Sequence, residues 1–228
     1  MLRDSLTSKF RDLHKGLTPE EAENYKLLLC MAAGGLAPRG AAPQSRNKEE
    51  AFRAILQCLN EIQPPGTMWC GRPPLLSDIL LGALQEESRV ALRSAKPTDR
   101  YLLSRGGPVA KGLATSGKLE ALVMSNFSGV APTGVASYIY YNKPGHGLDP
   151  HVDTEVYSVN VILMLEHSYK KNPSHLLVYE NDIFPKRILL REGEMAIINA
   201  GSVIHAREDV GSDERVSILT IGFQYEGV

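Results

Sequence analysis

The sequence predicts a mainly β fold, a barrel or jelly roll of short strands preceded by a helical layer. Three observations predict it. In the second half, short runs rich in Val, Ile, Leu and Tyr recur at 135–141, 156–165, 176–179, 187–190, 195–198 and 216–223. Clusters of Gly, Pro, Asn or Asp separate them, and their starts fall about 10 to 20 residues apart, the spacing of an all-β unit rather than of alternating strands and helices. In the first hundred residues the apolar positions instead recur at helical spacing.

The elements follow in order. Thr18-Pro19-Glu20-Glu21 has the marks of a helix start: a capping hydroxyl, Pro in the first turn and Glu three residues on. Tyr25, Leu28, Leu29, Met31 and Ala32 continue it, and Gly34-Gly35 is expected to end it. Residues 34–46, rich in Gly, Ala and Pro, read as a loop. A second helix is expected over 48–62, with Phe52, Ile55, Leu56, Leu59 and Ile62 on one face, and Pro64-Pro65-Gly66 stops it. A third is expected over 76–93. These stripes are expected to cover one face of a sheet. No internal repeat or long linker divides the chain. Residues 1–228 read as one domain, with about 1–100 as helical support and about 100–228 as the barrel.

Composition narrows the function. Lys plus Arg is 25 against 26 Asp plus Glu, so the basic footprint of a nucleic-acid binder is missing and no nucleic-acid partner is expected. Cys30, Cys58 and Cys70 are too few, and wrongly spaced, for a disulfide framework or a Cys-rich zinc site. The opening MLRDSLTSKFRDLHKG holds no apolar run, so neither a secretion signal nor a membrane partner is expected, and a reducing cytoplasm is the default compartment.

The chemistry concentrates at His151-Val152-Asp153. In an extended segment residues two apart share a face, so the His151 imidazole and the Asp153 carboxylate can aim at one centre. His205, at the end of a late strand, is the candidate third ligand. Two neutral imidazoles and one carboxylate on one side of a metal form the facial triad of non-haem Fe(II) oxygenases, with the opposite positions open. Ten residues after His205, Arg215 and Ser217 open the last strand and share a face. A guanidinium fork beside a hydroxyl is a receptor for a carboxylate.

Taken together, Tyr140-Tyr141-Asn142-Lys143-Pro144, His151-Val152-Asp153, His205 and Arg215-Val216-Ser217 resemble the Fe(II)/2-oxoglutarate-dependent dioxygenase superfamily over about residues 135–225. The resemblance implies a double-stranded β-helix (jelly roll) with flanking helices. It implies iron held by His151, Asp153 and His205, with 2-oxoglutarate and O2 as co-substrates and Arg215 and Ser217 on the distal carboxylate. It implies oxidative decarboxylation to succinate and CO2, coupled to hydroxylation or desaturation of a substrate. The short loop between Tyr141 and His151, and the strand at 175–179 without preceding paired glycines, depart from the pattern and leave the subfamily open.

Tyr140 and Asn160 are each weighed as co-substrate contacts against cross-strand packing and a satisfied core amide. Arg207 reads first as a solvated loop charge and second as a ligand for a substrate carboxylate. Trp69 reads as a packing anchor or part of a lid. His14, His146, His167 and His175 read as surface or loop residues. The expected substrate is a small molecule, an amino acid or a specialised-metabolism intermediate first. Two alternatives stand beside this reading: an iron-dependent oxidase of the same fold that uses no 2-oxoglutarate, and a non-catalytic metal- or ligand-binding barrel acting as sensor or scaffold.

Overall fold

The computed structural model describes residues 2–38, 45–62, 68–153, 155–180 and 183–226. The helices that lead the chain are α1 (Leu2–Lys15), α2 (Pro19–Leu36) and α3 (Arg46–Ile62). Thr18 caps α2 as the sequence leads one to expect: the Glu21 amide donates to the Thr18 hydroxyl, and Glu21 accepts in return from the Thr18 amide at 2.8 Å. Gly34 and Gly35 do not stop the helix. It runs through them to Leu36, and the Ala37 amide closes the last turn on the Ala33 carbonyl. The expected stop at Pro64-Pro65-Gly66 lies outside the described residues, as do residues 39–44 of the loop expected at 34–46. α1, for which the sequence offered no start signal, packs on α3 through Thr7 to Gln57 and Arg11 to Glu61.

Next come β1 (Trp69–Gly71), α4 (Asp78–Leu92), β2 (Lys96–Pro97), β3 (Leu102–Arg105), α5 (Pro108–Ala114) and α6 (Gly117–Met124). Ser77 caps α4 by accepting from the Leu80 amide. The cap of α5 comes from elsewhere in the chain. Gly107 has no side chain to offer, and the Glu87 carboxylate reaches over from α4 to accept from the Val109 and Ala110 amides at 2.8 and 3.0 Å. The barrel strands are β4 (Val130–Tyr141), β5 (Leu148–His151), β6 (Val159–Ser168), β7 (Leu176–Tyr179), β8 (Lys186–Ile188), β9 (Met195–Ile198), β10 (Ile204–Arg207) and β11 (Arg215–Tyr225). β6 starts later than the apolar run at 156–165 suggests, because residues 155–157 form a single 3-10 turn. β8 ends at Ile188 rather than reaching 190.

All strand pairs are antiparallel. Seven strands form one sheet in the order β1-β9-β6-β11-β4-β3-β2, and four form the other in the order β5-β10-β7-β8. This is the jelly roll. Behind the large sheet, α4, α5 and α6 bury Leu84, Leu113, Leu119 and Val123 against Tyr138, Tyr140, Val161, Leu163, Leu219 and Phe223. Between the sheets lie Tyr141, Ile162, Met164, Val178, Ile198, Val216 and Ile218. Behind the small sheet, α2 and α3 bury Leu29, Ala33, Phe52, Ile55 and Leu59 against Tyr179 and Ile204. The leading helices therefore cover the outside of the small sheet, the one that carries both histidines of the motif. No helix among the described residues is long and apolar enough to cross a membrane.

A candidate metal centre in the barrel

The small sheet brings the motif together. His151 ends β5 and His205 lies on β10, and the two are cross-strand partners with ring centroids 4.3 Å apart. Asp153 follows β5, and its amide is tied to the Ala200 carbonyl at 2.8 Å. Its Oδ1 lies 3.2 Å from His151 Nε2 and 3.6 Å from His205 Nε2. One ligand atom from each of the three lies within 4.8 Å of the other two.

The neighbours decide which atoms face the centre. His151 Nδ1 donates to the Asp149 carbonyl at 2.8 Å and His205 Nδ1 donates to the Val203 carbonyl at 3.1 Å. A carbonyl only accepts, so each Nδ1 carries the proton and each Nε2 presents a lone pair inward. Asn160 donates to Asp153 Oδ2 at 2.7 Å, which leaves Oδ1 turned to the histidines. Two nitrogen lone pairs and a carboxylate oxygen this close repel one another unless a cation lies among them. The donor set fits a borderline divalent metal with open positions. A proton can stand in for that cation, and the titration directions show it. Burial alone would raise the Asp153 pKa, but the His205 and His151 imidazoles hold it well below the usual range. Burial alone would lower the His205 pKa, and Asp153 raises it.

The triad opens into a cavity of about 370 Å³ between the sheets. Its walls include Ser137, Ile139 and Tyr141 from β4, Asn160 and Ile162 from β6, Ile218 and Thr220 from β11, and Arg207 from β10. Arg207 is 5% exposed, so it is no solvated loop charge. It lies two residues beyond His205 on one strand, on the same face and roughly 7 Å away along the backbone. Its guanidinium sits over the Tyr141 ring, 5.8 Å from the centroid. Nη2 donates to the Ser174 hydroxyl at 2.8 Å and to the Ser174 carbonyl at 3.2 Å, while the buried Nε has no partner. Behind it, Glu214 accepts from the Ser174 amide and hydroxyl and from His167 Nε2, each at 2.7 Å. Glu214 lies 4.0 Å from Arg207. Burial would raise the Glu214 pKa, and the bonds from Ser174, His167 and Gly211 hold it low, so a carboxylate faces the arginine.

Three of the expected co-substrate contacts face away from this cavity. Arg215 is exposed and donates to the Asn142 carbonyl. Ser217 and Tyr140 are cross-strand partners on the opposite face, where the Tyr140 hydroxyl donates to the Ser88 carbonyl of α4 at 2.7 Å. The inward residues of β11 are Val216, Ile218 and Thr220, one position out of step with Arg215 and Ser217. Strand parity is the physical reason. Residues 216–223 of β11 are buried on both faces, so no polar face marks which set points in. Asn160 does line the cavity, but the contact it makes is with Asp153. Trp69 lies on β1, paired with β9 and packed on the core behind the large sheet. Sequence reasoning missed Tyr101, Ser137, Tyr157 and Thr220 as cavity residues, and misjudged Arg207. The signal that could have found Arg207 was its two-residue spacing from His205, the same spacing that links His151 to Asp153.

No protein-family model matches the chain, and no curated protein matches it. Solved structures do. The non-haem alpha-ketoglutarate-dependent epimerase SnoN from nogalamycin biosynthesis superposes with a TM-score of 0.57 at 12% identity, covering 75% of this chain and 84% of SnoN. A Pseudomonas putida prolyl-4-hydroxylase superposes with a TM-score of 0.57 at 18% identity, covering 75% of this chain and 99% of that enzyme. HygX from Streptomyces hygroscopicus, crystallised with nickel and 2-oxoglutarate, superposes with a TM-score of 0.55 at 11% identity, covering 81% and 88%.

Proposed function

The chain has the fold of the Fe(II)/2-oxoglutarate oxygenases, and from that premise we propose that it is a non-haem Fe(II)- and 2-oxoglutarate-dependent oxygenase acting on a small molecule. One observation carries the reading. A triad of two Nε2 atoms and one carboxylate oxygen shares its cavity with Arg207, a buried arginine whose Nε has no partner. His151, Asp153 and His205 hold the metal. The iron, when bound, supplies oxygen activation coupled to decarboxylation of 2-oxoglutarate to succinate and CO2. The rest is the chain's own work. Arg207, in place of Arg215, takes the distal carboxylate, at a spacing from His205 that suits a short dicarboxylate reaching from metal to guanidinium. Ser174 and Glu214 fix the guanidinium. Asn160 keeps Asp153 from rotating. Ile139, Ile162, Leu176 and Ile218 keep water from the walls. Three free thiols suit a reducing cytoplasm. Whether the product is hydroxylated or desaturated depends on the substrate's position.

A second reading is an oxidase in which Arg207 holds a substrate carboxylate and 2-oxoglutarate has no part. Succinate release separates the two. With Fe(II), ascorbate and 2-oxoglutarate the protein is expected to form succinate slowly even without a substrate, and the His205→Ala variant none. Oxygen consumption without succinate supports the oxidase instead.

A further inference from the structure

The cavity's stock of charge limits what else can enter it. Its ionisable lining residues are Tyr101, Tyr141, Tyr157, His151, Asp153, His205 and Arg207. On the reading above, on which this inference rests, the metal takes His151, Asp153 and His205. Arg207 is the one cation left among the described lining residues. Its Nη2 is held by Ser174 and its Nε has no hydrogen-bond partner, so the guanidinium keeps donors for one further carboxylate beside Glu214. When the co-substrate fills that vacancy, no charged side chain on the described walls remains to pair with a substrate.

What remains is apolar with a few hydroxyls. Leu103 pairs with Ile139, and Ile139 pairs with Ile218, laying one apolar row across the large sheet. The neighbouring row carries Ser137 opposite Thr220, which lies opposite Ile162. The Ser137 and Tyr157 hydroxyls are 3.1 Å apart and share a single hydrogen bond. One proton serves that bond, so the pair keeps a second proton and lone pairs for a ligand. Leu103 is 37% exposed at the cavity wall, an apolar side chain in position to cover a ligand.

We infer that the part of the substrate lodged in this cavity is uncharged: an apolar skeleton bearing a hydroxyl or carbonyl group read by Ser137 and Tyr157. Free amino acids, favoured from the sequence, are thereby disfavoured. A zwitterion brings a second carboxylate and an ammonium into a space with no partner for either, and an unpaired buried charge is costly. The volume of about 370 Å³ is near the lower end of ligand cavities, so with the co-substrate inside, the remaining space takes a small molecule or one end of a larger one.

The test uses one carbon frame in four charge states: cyclohexylmethanol, cyclohexanecarboxylate, cyclohexylmethylamine and the zwitterion cyclohexylglycine. Calorimetric titration of 2-oxoglutarate into the Ni(II)-loaded protein comes first, and failure of that step strikes the oxygenase reading itself. Saturation-transfer NMR on the Ni(II)- and 2-oxoglutarate-loaded protein then ranks the four. The alcohol is expected to bind at least tenfold more tightly than each charged member. Without 2-oxoglutarate the carboxylate is expected to bind, and to be displaced when 2-oxoglutarate is added. Thr220→Lys, which puts a cation on the wall, is expected to bring the carboxylate into the loaded protein. If the carboxylate or the zwitterion matches the alcohol in the loaded wild-type protein, or if the alcohol does not bind, the inference is overturned.

Discussion

Two adjacent glycines in α2 give a test in which helix propensity and tertiary packing predict opposite signs. Gly34 lies against the strand that carries the first histidine. A Cβ there would be 2.6 Å from the Pro150 carbonyl oxygen and 3.9 Å from the His151 Cα. Both are backbone atoms, so no side chain can rotate away, and either α2 or β5 must move. Gly35, the next residue, has no atom within 4 Å of its Cβ position. Propensity alone favours Ala over Gly by about 1 kcal/mol in a helix, somewhat less in a last turn. Overpacking a tight contact costs about 1–3 kcal/mol. Gly35→Ala is therefore expected to be neutral or stabilising by up to about 1 kcal/mol. Gly34→Ala is expected to be less stable than its neighbour by about 1–3 kcal/mol. Movement of β5 should also displace His151 from Asp153 and weaken Ni(II) binding. Urea unfolding of the metal-free variants gives the first quantity, and Ni(II) titration calorimetry gives the second. Equal stabilisation by both substitutions, with Ni(II) affinity unchanged in Gly34→Ala, would refute the claim that the helical layer sets the position of the metal site.

Three other outcomes are expected. Arg207→Lys keeps a cation but loses the planar fork, so 2-oxoglutarate affinity should fall about tenfold or more while turnover at saturating co-substrate changes less. Arg215→Ala should leave that affinity unchanged, and the reverse ranking by titration would restore the sequence-based assignment. Asn160→Ala frees Asp153 Oδ2 and should weaken Ni(II) binding roughly 10–100-fold with little change in melting temperature. Glu87 gives a pH signature. Burial would raise its pKa, but the Tyr138 hydroxyl and the Ala110 and Val109 amides hold it below the ordinary value. A carboxylate with a depressed folded pKa adds stability above its unfolded pKa of about 4.3, and that stability is lost as pH falls through the folded value. The stability gap between the wild type and Glu87→Gln should thus be full near neutrality and shrink below about pH 4. A gap that stays constant down to acid pH would deny the ionised cap on α5.

The sequence by itself determined the jelly roll, the helical face of α3 and the capping box of α2. Each rests on a local period or a local hydrogen bond that a few residues encode. It also determined the triad. The spacing of His151 and Asp153 is local, and His205 stood out as the histidine at a late strand end. Its surface and loop reading of the other histidines fails for His167, which is buried on Glu214. Only the tertiary structure decided which face of a strand points inward. β11 and β6 are apolar on both faces, so a one-residue shift in parity leaves the pattern unchanged, yet it moves Arg215 and Ser217 out of the cavity and leaves Thr220 in it. Arg207 shows the same limit from the other side. A lone arginine after a histidine looks like a surface charge until Ser174 and Glu214, which are 33 and 7 residues away in the chain, close around it. Nor does any local pattern show that Gly34 touches Pro150. That contact joins a helix and a strand more than a hundred residues apart, and it exists only because the leading helices cover the small sheet.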